Sequence, residues 1–126
     1  MHAGTLVRDA GLAGRDAQGR PTRWAAVDAH TLRSPHDERT WVIGDVMDSV
    51  SPLFGAYPKT AHIAADVGAE AAAQLFARQR GDPQPAAAAL PRSLCHVWLD
   101  ADPPEQLQLD ASFRRRGDGL IEQRLR

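Results

Sequence analysis

One segment, residues 58–81, constrains the fold more than any other because it carries every signal of a single amphipathic helix. Pro58 lies near its start, where the fixed φ and missing N–H of proline cost nothing, and Thr60 is a candidate N-cap. Gly81, followed closely by two prolines, is a stop signal. Apolar side chains at helical spacing predict one wide buried face, and most of them are small, so we expect another segment to approach the helix backbone closely. The members of this face are Ile63, Ala64, Val67, Gly68, Ala71, Ala72, Leu75 and Phe76.

The composition fits one domain and excludes several functional classes. A chain of 126 residues, with 43% hydrophobic and 25% charged residues, is typical of one globular unit with one core. A formal net charge of −1 gives no general attraction to nucleic acid, and no apolar run approaches the ~20 residues that cross a bilayer. The single cysteine excludes an intrachain disulfide framework, and the histidines lack metal-ligand spacing, so no metal site is predicted.

Before the long helix, the sequence predicts a short helix and two strands. Residues 3–11 show helical spacing of apolar side chains and end at a glycine. Residues 24–28 are a strand candidate, and residues 40–43 are a better one because they combine β-branched and aromatic side chains. Residues 49–57 are predicted to form a loop.

After the long helix, the sequence predicts antiparallel strands. Residues 94–99 form one candidate strand, and strict apolar alternation from residue 106 to 114 predicts a second. Gly117-Asp118-Gly119 is a tight-turn signal, after which residues 120–125 return as the hairpin partner. A strand-loop-helix unit followed by an antiparallel hairpin indicates an α/β or α+β fold.

Two segments carry candidate chemistry, and the first is Ile43-Gly44-Asp45 at the end of a predicted strand. Gly44 permits close approach of a ligand to the backbone, and the Asp45 carboxylate can accept hydrogen bonds from sugar or polyol hydroxyls. The carboxyl ends of strands are the ligand-binding edge of α/β proteins. An ordinary turn is the alternative, because Gly and Asp favour turns in any protein.

The second segment is Pro58-Lys59-Thr60-Ala61 at the start of the long helix. Unpaired N–H groups and the positive end of the helix dipole gather there, and Lys59, the only lysine, adds a positive charge. Such a site can stabilise negative charge on a planar cofactor such as a reduced flavin ring. A plain helix start with a solvated lysine is the alternative.

These segments, in this order, resemble a known family. Val27-Asp28, Ile43-Gly44-Asp45 and Pro58-Lys59-Thr60 resemble the C-terminal FAD-binding segment of flavoproteins with two dinucleotide-binding folds. The Pro-Lys-Thr helix, the proline-rich linker and Ser93-Leu94-Cys95-His96 are most similar to the flavoprotein subunit of flavocytochrome c sulfide dehydrogenase. The sulfide:quinone oxidoreductases are the next most similar. The resemblance covers about the whole chain.

The resemblance implies a domain organisation and partners. Residues 1–80 would be the end of an FAD-binding domain, residues 81–92 a linker, and residues 93–126 the C-terminal strands that carry the cysteine. Electrons would pass from sulfide through a cysteine pair and FAD to a c-type cytochrome subunit, in a periplasmic protein. A quinone acceptor is the second option, but the short, charged end of the chain does not provide the apolar membrane anchor that it requires.

The resemblance also implies individual roles. Asp45, after Gly44, would hydrogen-bond the ribityl or ribose side of FAD, and the backbone N–H groups at positions 59–61 would face the pyrimidine edge of the flavin. Cys95 would be one member of a redox-active pair in which sulfide attacks the disulfide and the resulting thiolate passes electrons to the flavin. From the residues alone, Cys95 can also be a small buried hydrophobic side chain.

Two parts of the expected machinery are absent from this sequence. It has no Gly-x-Gly-x-x-Gly turn for the pyrophosphate of FAD and no second cysteine, so both are expected upstream in a longer protein. The chain alone should bind FAD poorly and be inactive. The loop between Asp45 and Pro58 is also longer than the family leads us to expect. The alternative, favoured by Met1 and by these two absences, is a small standalone binding or interaction module of this fold without flavin.

Overall fold

The computed structural model describes residues 3–126, in the order helix, hairpin, helix and three-stranded sheet. The first two strands pair with each other, and the last three form one antiparallel sheet in chain order. The fold is therefore α+β, one of the two classes that the sequence indicates. The helices are α1 (Ala3–Asp9) and α2 (Ala61–Arg80), and the strands are β1 (Ala13–Arg15), β2 (Pro21–Ala25), β3 (Arg92–Ala101), β4 (Pro104–Arg115) and β5 (Ile121–Leu125).

The ends of α2 confirm the predicted capping residues. Thr60 has the extended N-cap conformation with φ −131°, and its hydroxyl oxygen accepts a hydrogen bond from the Ile63 N–H at 3.4 Å. Gly81 ends the helix at φ +74°, and its N–H donates to the carbonyl oxygens of Ala77 and Arg78. Glycine adopts this left-handed conformation at the lowest cost, which is why the helix stops there.

The small side chains of α2 allow a close approach, as predicted. A Cβ added to Gly44 would lie 3.7 Å from the Ala64 Cβ, and a Cβ added to Gly68 would lie 3.7 Å from Ile43 Cδ1. The segment that approaches the helix is therefore the chain at residues 43–44.

The predicted apolar face of α2 is correct for its first half and wrong for its last turns. Ile63 and Val67 are buried, but Leu75 and Phe76 are 38% and 57% exposed. Gln74 is buried in their place, with its amide hydrogen-bonded to the glutamate one turn earlier. Gln74 lines one space together with residues of the loop at 30–33 and Trp41, so this side of the helix end faces the rest of the chain.

The strand predictions before α2 are only partly correct. The short helix predicted at residues 3–11 is confirmed as α1, but β2 ends at Ala25 and so contains only part of the predicted strand at 24–28. Residues 40–43 do not form a strand, because Trp41 makes only an isolated bridge with Arg33. A strand needs a partner along its length, and within residues 3–126 no other strand runs beside this segment.

The predicted antiparallel hairpin is confirmed, and the sheet has three strands. Cys95 on β3 lies opposite Leu109 on β4, and the turn predicted at residues 117–119 joins β4 to β5. The alternation on β4 is present, but Leu107 and Leu109 are 45% and 39% exposed while Ala111 is buried. Only the end of the sheet that contains Ala111 is therefore buried against the rest of the molecule.

The core joins both helices, the loops and the sheet around Met47, which is 1% exposed. The loop at residues 49–57 contributes Phe54 and Tyr57, whose ring centroids lie 5.4 and 4.8 Å from that of Phe113 on β4 and 5.9 Å from each other. This aromatic cluster attaches the sheet to the rest of the molecule and gives the long loop a structural role. The other buried apolar residues of the core are Val7, Ala25, Leu32, Val42, Ile63, Val67, Ala71 and Ala88.

Candidate functional site

Gly44 and Asp45 form a tight turn that packs against α2. Gly44 has φ +70°, and the 3₁₀ turn Gly44–Val46 closes where the Met47 N–H donates to the Gly44 carbonyl oxygen at 3.2 Å. Asp45 is exposed. The segment predicted as a strand end is thus a turn that presents a carboxylate to solvent beside the helix.

The start of α2 presents backbone donors. Within residues 3–126, the N–H groups of Lys59, Ala61 and His62 have no hydrogen-bond partner, and all three residues are exposed. The Thr60 N–H differs, because it donates to the Pro58 carbonyl oxygen at 3.0 Å. Two of the three donors predicted at positions 59–61 are therefore available to a ligand, at the positive end of the helix dipole.

Lys59 is held by the protein and is not a freely solvated side chain. Its Nζ donates to the Met47 carbonyl oxygen at 2.6 Å and lies 4.5 Å from the centroid of the Trp24 ring. Partial burial lowers the pKa of the Lys59 ammonium, and the carboxylates of Asp45 and Asp48 act in the opposite direction. Its positive charge is thus fixed between the Asp45 turn and β2.

Cys95 is linked to the start of α2 through one buried serine. The Cys95 Sγ lies 3.5 Å from Ser93 Oγ, and the same oxygen lies 3.4 Å from Thr60 Oγ1. Ser93 is 3% exposed, and Cys95 is partly buried. The Arg92 N–H also ties the strand to the helix, because it donates to the Asp66 carboxylate at 3.0 Å. The first residues of β3 therefore lie against the first turns of α2.

The structure thus brings the three predicted site segments to one end of α2. Gly44 lies beside Ala64 of the helix, residues 58–61 form its start, and Cys95 reaches it through Ser93. Ser93 is the site residue that the sequence interpretation did not single out. Its position two residues before Cys95 on a strand, and hence on the same face, is the signal that identifies it.

The chemistry of this end of α2 suits a ligand with both hydroxyl groups and acceptor atoms. The Asp45 carboxylate only accepts hydrogen bonds, whereas the N–H groups of Lys59 and Ala61 only donate them. A helix start also favours negative charge on the group bound there.

Replacing Gly44 with alanine should lower the free energy of unfolding by about 1–2 kcal/mol, because a side chain is strained at the left-handed φ of this residue. Gly68→Ala on the facing helix is the matched control. Its new Cβ would make an ordinary contact with Ile43, and alanine favours a helix over glycine by about 0.5–1 kcal/mol. Urea unfolding followed by circular dichroism should therefore give opposite signs for the two variants. Equal changes in the free energy of unfolding for the two variants would contradict the expected strain of a side chain at residue 44.

Neither a metal centre nor a spanning helix is found in the described part of the chain. Within residues 3–126, no group of three or more His, Cys, Asp and Glu side chains is arranged to hold a metal ion. In the same range, no helix is long and apolar enough to cross a membrane. The chain matches no protein-family model and no curated protein.

Proposed function

We propose that this chain is the flavin-contacting C-terminal part of an FAD-dependent, sulfide-oxidising oxidoreductase. The observation that carries the proposal is that Gly44-Asp45, the unpaired donors at Lys59 and Ala61, and Cys95 converge on the start of α2. The same residues carry the resemblance to the flavoprotein subunit of flavocytochrome c sulfide dehydrogenase. The proposal includes a longer protein that provides the pyrophosphate-binding turn and a second cysteine.

The donors and acceptors of the site fit the flavin end of FAD. The exposed Asp45 carboxylate would accept hydrogen bonds from ribityl or ribose hydroxyls, and the N–H groups of Lys59 and Ala61 would donate to the pyrimidine edge. The dipole of α2 adds positive potential there, which favours the electron-rich form of the ring. Bound FAD supplies the two-electron acceptor, and the residues of this chain bind and orient it.

Cys95 would be one sulfur of the redox-active pair. Sulfide would attack the disulfide, leaving a persulfide on one cysteine and releasing the other cysteine as a thiolate. Bound FAD would supply the two-electron acceptor when this thiolate and the persulfide join in a new S–S bond with loss of one proton, and a c-type cytochrome subunit would accept the electrons in a periplasmic protein. Ser93, with its hydroxyl 3.5 Å from the Cys95 sulfur, would position that sulfur toward α2.

The test uses the protein encoded by the complete reading frame that contains this chain. We expect that frame to continue upstream with a Gly-x-Gly-x-x-Gly turn and another cysteine, and the purified protein to carry a flavin absorption band. Sulfide added without oxygen should bleach this band. Cys95→Ser should keep the band and lose the bleaching. Ser112→Ala, which changes the opposite face of the same sheet, should keep both.

The alternative is a standalone binding or interaction module without flavin, and the same experiment separates the two. A reading frame that begins at Met1, or a complete protein without a flavin band, would support the module and contradict our proposal. Bleaching of Cys95→Ser at the wild-type rate would remove Cys95 from the sulfide step. For the 126-residue chain alone we expect no flavin band after gel filtration, because the pyrophosphate turn is missing.

A further inference from the structure

The outer edge of β3 has no strand beside it. Within residues 3–126, β3 pairs with β4 alone, and no backbone group of residues 94–98 is hydrogen-bonded to any other segment. α2 reaches the start of this edge, where the Arg92 N–H donates to the Asp66 carboxylate at 3.0 Å. At the other end, the pairing with β4 shifts between Trp98 and Asp100, which marks a bulge. The free edge of β3 therefore consists of residues 94–98.

Alternate residues of the free edge direct their backbone groups away from the sheet. Asp110 exchanges both backbone hydrogen bonds with Arg126 on its β5 side, so neither of its groups points to Leu94, its partner on β3. In an antiparallel pair, both residues at such a position direct their N–H and C=O groups away from each other. The outward groups of the free edge are therefore those of Leu94, His96 and Trp98.

The side chains of this edge allow a further strand to pair with it. Proteins commonly protect an exposed edge with lysine, proline or an inward-pointing charge. Residues 93–99 contain no lysine, proline, arginine, aspartate or glutamate. Leu94, Val97 and Trp98 are 41%, 42% and 68% exposed. Unpaired N–H and C=O groups between exposed apolar side chains are suited to the addition of a strand.

The free edge is complementary to itself in the antiparallel register that is centred on His96. In this register Leu94 of one copy lies opposite Trp98 of a second copy, and the reverse pair lies on the other side of the two-fold axis. On the opposite face of the sheet, Cys95 of each copy lies opposite Val97 of the other. Apart from the two His96 rings, only apolar side chains meet, and all the outward N–H and C=O groups gain partners.

A shift of the axis by one residue in either direction fits less well. In one direction Trp98 lies opposite Arg92, whose N–H is already bonded to α2. In the other direction Leu94 lies opposite Asp100, beyond the bulge. The register centred on His96 matches the whole free edge to itself.

The charges that flank the free edge favour antiparallel pairing of two copies. The tip of the β3–β4 hairpin carries Asp100, Asp102 and Glu105, and the first of these lies directly opposite the last, where like charges repel. Arg92 precedes the free edge at its other end. Within residues 3–126, none of these four side chains forms an ion pair. Antiparallel pairing brings Arg92 of each copy beside the acidic tip of the other.

We propose that two copies of this chain pair through residues 94–98 of β3 and join their three-stranded sheets into one continuous antiparallel sheet. The contact is the same on both copies and covers the free edge of each, so assembly stops at the dimer. A contact of this length buries less than the about 1,600 Å² of a standard interface, and we therefore expect a weak, reversible dimer. The dimer uses outward backbone groups of β3, none of which is assigned to FAD, so it does not depend on the flavin proposal.

The test is sedimentation velocity of the 126-residue chain under reducing conditions, from about 1 µM to about 500 µM, the range in which weak interfaces associate. We expect a reversible change from monomer to dimer as the concentration rises. Trp98→Lys places a charge against Leu94 of the second copy, and His96→Pro removes an outward N–H that β4 does not use. Each should raise the dissociation constant at least about tenfold.

Leu107→Lys is the matched control for Trp98→Lys. Leu107 is 45% exposed, but it lies on β4, away from the free edge, so this variant should keep the wild-type dissociation constant. Circular dichroism checks that each variant is folded, and Trp98→Lys decides if His96→Pro is not. A chain that stays monomeric at all these concentrations overturns the proposal. An equal loss of association in Leu107→Lys and Trp98→Lys also overturns it, because the contact would then be made by the face of the sheet.

A cysteine variant tests the register. Val97→Cys places a new thiol opposite Cys95 of the other copy, at a pair whose side chains lie close together in an antiparallel sheet. Oxidation should link this variant into dimers on a non-reducing gel, whereas the wild-type chain should stay unlinked because its Cys95 lies opposite Val97. Cys95→Ser combined with Val97→Cys should also stay unlinked. Linked dimers of the wild-type chain or of the double variant, or no link in Val97→Cys, would overturn the pairing centred on His96.

Discussion

Met47→Ala is expected to lower the free energy of unfolding by about 2–5 kcal/mol. Met47 is 1% exposed and is among the largest fully buried side chains of the molecule. Its truncation removes apolar contacts in the middle of the core, and the surrounding residues can fill the resulting cavity only in part. A domain of this size is typically stable by about 5–15 kcal/mol, so the variant should lose a large fraction of its stability.

Leu53→Ala is the matched control for this substitution. It removes a similar side chain from the same region of the chain, but Leu53 is 48% exposed, and we expect a change within about 0.5 kcal/mol. Urea unfolding followed by circular dichroism measures both variants, and an unchanged m-value shows that the comparison is valid. The hydrogen bond that Lys59 donates should survive the Met47→Ala substitution, because its acceptor is the backbone carbonyl oxygen of residue 47. Similar losses in the two variants would contradict the central position of Met47.

The helix α2 is predictable from the sequence because its signals are local. Thr60 and Gly81 act within one turn of the ends they cap, and the apolar spacing needs no knowledge of the rest of the fold. The burial of Gln74 in place of Leu75 is not predictable in the same way. It depends on which loops contact the last turns of the helix, and these loops are distant in sequence.

The strand predicted at residues 40–43 shows the limit of a propensity argument. β-Branched and aromatic side chains favour a half-buried pleated surface, but the strand that completes this surface comes from elsewhere. Within residues 3–126, Trp41 finds only the single bridge to Arg33. In the longer flavoprotein that we propose, neighbouring strands would provide the missing partners.

The candidate site was predictable as separate motifs and not as an arrangement. Gly44-Asp45, residues 58–61 and Cys95 each have a recognisable local pattern, but their convergence depends on the long-range contacts through Ser93.

The second large effect is a loss of stability between pH 10 and pH 12, caused by Tyr57. Burial raises the pKa of this phenol from its ordinary value of 10.0 to about 12, although the nearby Arg115 charge acts in the opposite direction. The folded protein therefore holds the phenol proton more tightly than the unfolded chain does. The stability that comes from this difference in proton binding is complete below pH 10, and it is lost as the pH rises through 12. At about 1.4 kcal/mol for each pH unit, the total is about 2–3 kcal/mol.

A spectroscopic titration tests this directly because Tyr57 is the only tyrosine in the chain. The near-ultraviolet absorbance of tyrosinate should appear with a midpoint near pH 12 in the folded protein and near pH 10 in urea. Tyr57→Phe is the control, since it keeps the ring that lies 4.8 Å from Phe113 and removes the titrating hydroxyl. Lys59, whose pKa is lowered, acts in the opposite direction in alkaline solution, but it is common to both proteins and cancels in the difference. If the folded protein titrates near pH 10, the aromatic cluster does not shield Tyr57 from water, and the attachment of the sheet to the core is looser than the structure indicates.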